Sequence, residues 1–449
     1  MAKQKIQLSD HFNYSRLLRF VLPCIGTMLF TSIYGIVDGL CVSNFVGKTA
    51  FAAVNLIMPL PMLIGTVGFM LGTGGSAIVG ITLGEGDEDK ANRYFSLFVL
   101  TAFLAGVALS VLGLFILRPV AILMGAKGEM LDFAVRYGRV LMVSVPTFIL
   151  QNMFQSFFVT AEKPTLGFWF TVGAGCTNMV LDVVMVGMLH WGVEGAAIAT
   201  LISQLVGGVL PVFYFIDNGN TSRLHLCRTQ FYGRVLWDAC INGSSELMTN
   251  LSMSLVNILY NFQLLRLAGE NGVAAYGVIM YAAFLFVAVF VGYAVGSAPI
   301  VSFHYGARNH AEVHNLYRKS LRLIALVAVT LTLASMFIIP CVARIFVGYD
   351  AELLALTSRA FRLYALSFLI MGFNVYASSF FTALGDGVTS ALISFLRTLL
   401  FQLLALILLP LVLGIEGVWL AVTVAEAGAL CVTVLMFVRK DKVFHYRKA

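Results

Sequence analysis

Twelve long apolar stretches, each of a length that crosses a bilayer, constrain this chain more than any other feature. They run approximately over 20–42, 51–82, 94–117, 135–158, 166–190, 194–216, 237–262, 273–300, 320–343, 358–382, 388–412 and 416–438. Crossing a hydrocarbon core of about 30 Å takes roughly 20 apolar residues in a helix. Lipid offers the backbone no hydrogen bonds, so only helices or closed barrels span it. A barrel needs short alternating segments, and these runs are continuous. Composition agrees: 59% of the 449 residues are hydrophobic and 11% are charged, against about 25% charged in a soluble domain. The expected fold is an all-α integral membrane protein with twelve transmembrane helices.

Residues 1–19 are polar and the first apolar run is followed by no small-residue cleavage site, so no cleavable signal peptide is expected. The seven cysteines form no CxxC pair and mostly lie inside apolar runs. They are expected to be small packing residues rather than a disulfide framework or a zinc site. The net charge of +7 makes sense by location. With the N-terminus inside, 19 of the 29 Lys and Arg fall on the inner side and nine on the outer, with Arg397 inside a helix. That bias places both termini in the cytoplasm, and a multi-pass protein of the plasma membrane is expected. The bias also removes any need for nucleic acid as a partner.

The chain repeats itself at an offset of 222 residues without gaps. Ile57-Met58 meets Ile279-Met280, Gly84 meets Gly306, and Gly192-Val193-Glu194-Gly195 meets Gly414-Ile415-Glu416-Gly417. Each unit holds six helices, an even number, so both enter the membrane in the same direction. A pseudo-two-fold axis along the membrane normal should therefore relate them. The expected division is an N-terminal lobe over 1–216, a polar and basic cytoplasmic linker over 217–236, and a C-terminal lobe over 237–449. A cleft between two such lobes, open alternately to either side, is the geometry of a secondary transporter.

An ionisable residue at the bilayer centre costs about 2.5–3.5 kcal/mol on insertion scales, so each one asks for a reason. In the first lobe these are Asp38 on helix 1 and Asp182 on helix 5, with Asn178 one turn before Asp182 and Thr200 near the start of helix 6. Helix direction puts all four at similar depth in the outer half of the membrane. Two carboxylates, an amide oxygen and a hydroxyl suit a hard cation such as Na+; the same two acids could instead share a proton. Asn178 or Thr200 alone would read as helix-bonding groups. The repeat-equivalent positions are Tyr260, Leu400, Leu404 and Val422, so the scaffold does not require the set.

The second lobe holds Glu246 on helix 7, Arg397 on helix 11 and Glu426 on helix 12. Counting residues from the inner membrane face puts Glu246 and Arg397 at one depth, where they could meet as a structural pair or as substrate contacts. Gln204 stands at the repeat position of Glu426. Pro23 lies on the helix that carries Asp38; a bend there would couple cation occupancy to lobe shape, against the alternative of a static kink.

These residues are familiar together. Pro23 and Val37-Asp38, Asn178-Met-Val-Leu-Asp182, Gly195-Ala-Ala-Ile-Ala-Thr200 with Ser203-Gln204, Gly243-Ser-Ser-Glu246, Pro299 with Tyr305-Gly306-Ala307, and Gly417-Val-Trp419 resemble the multidrug and toxic compound extrusion (MATE) family. The likeness spans nearly the whole chain. It implies a monomeric antiporter exporting small organic compounds, often cationic or amphipathic, driven by inward Na+ or H+ flow and needing no cofactor. Asp38, Asn178, Asp182 and Thr200 would match its N-lobe cation site, Pro23 its helix 1 bend and Tyr137 a family tyrosine. Glu246 would match an acidic position on helix 7, whereas the second-lobe aspartate of some members has no counterpart here. Tyr137, Glu246, Arg397 and Glu426 are the further candidate polar or substrate contacts.

Three other readings compete. A flippase for lipid-linked precursors, from the same superfamily, would need a strongly cationic cleft, yet the helices offer mainly Arg397 against four acids. A major-facilitator carrier would carry arginines in the loop near Gly84, which instead reads Gly-Glu-Gly-Asp-Glu-Asp-Lys. A membrane enzyme finds no His, Ser or Cys constellation inside the helices.

Overall fold

The computed structural model describes residues 6–45, 48–217, 219–348 and 350–446, with the side chains of 36, 38–45, 48, 51, 340, 342, 345 and 346 outside the description. In the first half the helices are α1 (Tyr14–Phe45), α2 (Lys48–Ile57), α3 (Pro59–Gly84), α4 (Glu88–Leu123), α5 (Glu129–Thr160), α6 (Pro164–Asp182), α7 (Gly192–Gly208) and α8 (Leu210–Ile216). In the second they are α9 (Gly233–Asn242), α10 (Ser244–Gly306), α11 (His310–Val347), α12 (Ala351–Ala365), α13 (Phe368–Ala383), α14 (Gly387–Phe395), α15 (Phe401–Leu413) and α16 (Ile415–Phe444). Wide π-helical segments, Val183–Met188 and Leu396–Leu400, extend α6 and join α14 to α15.

Among the described residues ten helices or helix pairs are long and apolar enough to cross a membrane, and α12 with α13, bent by 47°, make an eleventh. The twelfth is hidden in α10. Its 63 residues would make a rod of about 95 Å if straight, three times a bilayer core. Gly269 breaks it, at φ 61° and ψ −150°. The Tyr260 and Tyr276 rings stack with centroids 4.8 Å apart and the Tyr276 hydroxyl donates to Asn257 Oδ1 at 2.6 Å. Residues 16 and 19 apart meet only if the chain turns back on itself, so α10 is a hairpin of two spans. Twelve spans result. Large apolar side chains cover the outside, among them Leu123, Phe337 and Val412, each at least 80% exposed. Such a belt fits lipid and would be unfavourable in water.

The two lobes follow the 222-residue repeat at the level of their caps. Asp87 caps α4 by accepting from the Lys90 amide, and Asn309 caps α11 by accepting from the Glu312 amide. Gly192 and Gly414 open α7 and α16 at φ 61° and 58°. The axis itself is visible where α3 meets α10. A Cβ on Gly84 would strike the Phe303 carbonyl, and one on Gly306 would strike the Ile81 carbonyl. Those two contacts exchange under the repeat, as an isologous contact must. Glycine is required there because the backbones touch.

At the end that carries both termini the lobes are tied together. The Leu8 amide donates to Glu162 Oε1 (2.9 Å) and the Phe12 amide to Glu312 Oε1 (2.9 Å), so residues 8–12 bridge the first lobe to the second. Arg223, in the segment between lobes, pairs with Glu88 (2.7 Å) and Glu162 (3.3 Å) and lies over the Phe303 ring.

Candidate functional site

Two polar regions within the bundle carry the candidate residues whose side chains are described. The first is built on α6 and α7. Asp182, the last residue of α6, is 0% exposed, and Asn178 one turn earlier is 1% exposed. Asn178 Nδ2 donates to Thr200 Oγ1 at 3.4 Å, and the Thr200 hydroxyl donates to the Ala196 carbonyl at 3.1 Å. The Asn178 Oδ1 is buried with no hydrogen-bond partner among the described residues. A buried amide oxygen without a donor costs free energy and is a ready ligand for a hard cation. The structure thus brings Asn178 and Thr200 together and sets Asp182 on the same face of the same helix. Helix α6 packs against α1 and α7. Asp38 lies within α1, and its side chain is among those outside the description. Tyr137 is buried in the apolar cluster with Val186, Val193 and Ala197 at this end of the lobe. Pro23 sits inside an unbroken α1, and its carbonyl accepts the Thr27 hydroxyl at 2.9 Å.

The second region is a cavity of about 830 Å³. Helices α10, α13, α14, α15 and α16 supply most of its wall, and Thr73, Ser76 and Ser156 close it from the first lobe. Its charged lining residues are Glu246, Arg397 and Glu426. Asn257, Tyr260 and Tyr276 also line it, so the α10 hairpin contact forms part of the wall.

The ion pairing differs from the expectation drawn from depth. No ion pair joins Glu246 to Arg397 among the described residues; Arg397 Nη1 lies 3.5 Å from Glu426 Oε1. Counting from the membrane face assumes straight α-helices. Here Gly243 separates α9 from α10 just before Glu246, at a point where the Met70 carbonyl leaves no room for a Cβ. Arg397 also sits within the Leu396–Leu400 π segment, whose wide turn shifts the facing of the residues after it. Glu426, 2% exposed, is held by a residue the sequence did not single out. Asn374 Nδ2 donates to Glu426 Oε2 (2.7 Å) and to its backbone carbonyl (2.9 Å), and Asn374 Oδ1 accepts from the Thr433 hydroxyl (2.8 Å). A lone amide in the apolar run 358–382 was the one available signal.

A family described as MatE matches residues 23–184 and 247–407, one segment in each lobe. The multidrug export protein MepA of Staphylococcus saprophyticus is 20% identical over 434 residues, covering 96% of this chain and 95% of the relative. That of Staphylococcus haemolyticus is 20% identical over 426 residues, covering 95% and 93%. Among solved structures, a MATE protein in complex with MaL6 superposes with a TM-score of 0.92 at 23% identity, covering 98% of this chain and 99% of the other. A multidrug resistance MATE family transporter of the MOP superfamily in its outward-facing conformation gives 0.92 at 23% identity, covering 99% of each.

Proposed function

The chain belongs to the MatE family, and on that premise we propose that it is a secondary transporter, not an enzyme. It exports small organic compounds, often cationic or amphipathic, through alternating access of the cavity between its lobes, in exchange for Na+ or H+. The observation that carries this reading is a large cavity at the lobe interface in a molecule whose lobes are tied at the terminus-bearing end by short polar bonds, glycine contacts and the buried Phe12 ring against His304. Such ties can break and re-form without unfolding either lobe. Relatives named for multidrug export support the direction of transport.

In this reading the lobes are 1–216 and 237–449, joined by the 217–236 linker, and both termini face the cytoplasm of the plasma membrane. The protein works as a monomer. Asp38, Asn178, Asp182 and Thr200 hold the coupling ion, and the Asn178 carbonyl oxygen gains from a cation the partner it lacks among the described residues. Pro23 frees α1 to bend as that site fills. A flippase for lipid-linked pyrophosphates is disfavoured because the cavity lining carries two acids against one arginine.

The test is transport of a fluorescent cationic dye in proteoliposomes with Na+ and pH gradients imposed separately. One gradient should drive accumulation, and Asp182→Asn and Asp38→Asn should each abolish it without loss of folded protein. Full transport in both variants would remove the ion site from the mechanism.

A further inference from the structure

The segment between the lobes lies as an extended strap along α4. The His225 amide donates to Asn92 Oδ1 (2.9 Å), the Cys227 amide to Ser96 Oγ (2.9 Å) and the Thr229 hydroxyl to the Arg93 carbonyl (2.7 Å). Alternate residues of an extended chain face opposite ways, so Arg228 is left exposed while its neighbours bond to α4. Further along, the Tyr232 ring meets the Tyr94 ring edge-on at 5.3 Å, and α9 then opens with Arg234. The result is a strip of three exposed arginines, Arg93, Arg228 and Arg234, beside Phe231 and Trp237, which are 80% and 67% exposed.

Arg93 fixes where this strip meets the bilayer. Leu100, Leu104, Val107 and Val111 follow it along one face of α4, all exposed and within about 40° of it at 3.6 residues per turn. They belong to the apolar belt, and Arg93 stands about 10 Å before Leu100 along the axis. That is the level of headgroups rather than of acyl chains, where bulky aromatic and basic side chains occur together. The three guanidiniums make no ion pair or side-chain hydrogen bond among the described residues, and the exposed acids Asp89 and Asp238 pair with none of them. The fold does not ask for these arginines. At the repeat position of Arg93, Asn315 is used inside the protein, donating to the Phe12 carbonyl (3.1 Å) and to Glu312 Oε1 (2.8 Å). At that of Arg234 stands Phe12, fully buried.

We propose that this strip binds the phosphate of an anionic phospholipid in the leaflet at the terminus-bearing end, with Phe231 and Trp237 inserted beside its glycerol and upper acyl chains. A guanidinium matches phosphate oxygens through paired N–H donors. The cationic group of a zwitterionic headgroup would be repelled by the same three arginines, so an anionic lipid is preferred. Arg93 belongs to the first lobe and Arg234 opens the helix that leads into the second. The lipid therefore sits on the joint between lobes, apart from the cavity and from the polar region of α6 and α7.

The test is fluorescence of the full chain in phosphatidylcholine vesicles that contain a minority of either brominated phosphatidylglycerol or brominated phosphatidylcholine. Bromine quenches only indoles in contact with it, and the signal of Trp237 is the difference between the native chain and Trp237→Phe. Phosphatidylglycerol should occupy the site in preference to phosphatidylcholine by about fivefold or more, the effect of one arginine at an anionic headgroup. Arg93→Gln with Arg228→Gln and Arg234→Gln should bring the two lipids to equality, whereas Arg93→Lys with Arg228→Lys and Arg234→Lys should keep the preference. Equal quenching by the two lipids in the native chain would overturn the proposal, as would a preference that survives in the glutamine variant. Quenching of Trp237 by aqueous acrylamide and by neither lipid would also overturn it, leaving the strip in water and open to a soluble acidic partner.

Discussion

At position 182 the repeat supplies an internal comparison, because the second lobe carries Leu404 there and Leu400 at the position of Asn178. Both lobes fold on one plan, so the polar residues are additions to the plan. Asn178→Leu should therefore leave the thermal midpoint nearly unchanged while abolishing ion-driven dye transport; an equal loss of stability and transport would make Asn178 a helix-bonding group. The opposite outcome is expected at Asn374. Asn374→Ala strips Glu426 of two donors and Thr433 of its acceptor inside the bundle. About 1–3 kcal/mol of stability should go, seen as a lower midpoint in thermal unfolding. Residues of these two kinds were unequally legible. Asp182 and Arg397 stood out because charge is rare in apolar runs, but the partner of Arg397 did not, since pairing depends on facing and facing is altered by the π segment. Asn374 is not legible, because nothing in its neighbourhood marks one amide as a support for an acid 52 residues away.

Length and apolarity locate the twelve spans, but not the glycine breaks within them. Helix breaks come from single residues. The α10 hairpin turns at Gly269, whose φ of 61° and ψ of −150° lie in a region essentially restricted to glycine. Gly269→Ala should cost about 1–3 kcal/mol and loosen the Tyr260–Tyr276 stack, read as weaker protection of that hairpin in hydrogen exchange. The apolar run 237–262 splits at Gly243, where the Met70 carbonyl packs too close for any Cβ, a tertiary contact that no local pattern announces. Gly84 and Gly306 matter in another way, since their contacts cross between lobes. Gly306→Leu should hold that end apart and leave each lobe intact, so that Thr82→Cys, buried in the present conformation, becomes reactive to a water-soluble thiol reagent. Unchanged protection would show that the glycine contact does not control closure.

For the whole molecule, duplication sets the frame and asymmetry sets the function. The repeat was legible as far as the caps: Asp87 and Asn309, then Gly192 and Gly414, fall at equivalent places. What it could not convey is how the lobes sit on one another, because that depends on contacts between residues far apart in the chain, such as Gly84 with Phe303 and Leu8 with Glu162. Those contacts close one end over a cavity whose charged lining residues all lie in the second lobe, while the buried acid and amide of the proposed ion site lie in the first. Ion and substrate then communicate through lobe position rather than by touching.

The distance between Asp89 and Ala311, exposed repeat-equivalent positions at the terminus-bearing end of α4 and α11, reports that position directly. Spin labels on Asp89→Cys and Ala311→Cys, in a background with the native cysteines replaced, should give two populations by pulsed electron resonance. The shorter is the closed arrangement described above. Its weight should change with Na+ or with pH, and Asp182→Asn should abolish that response. A single distance, the same under every ionic condition that sustains transport, would contradict alternating access between these lobes.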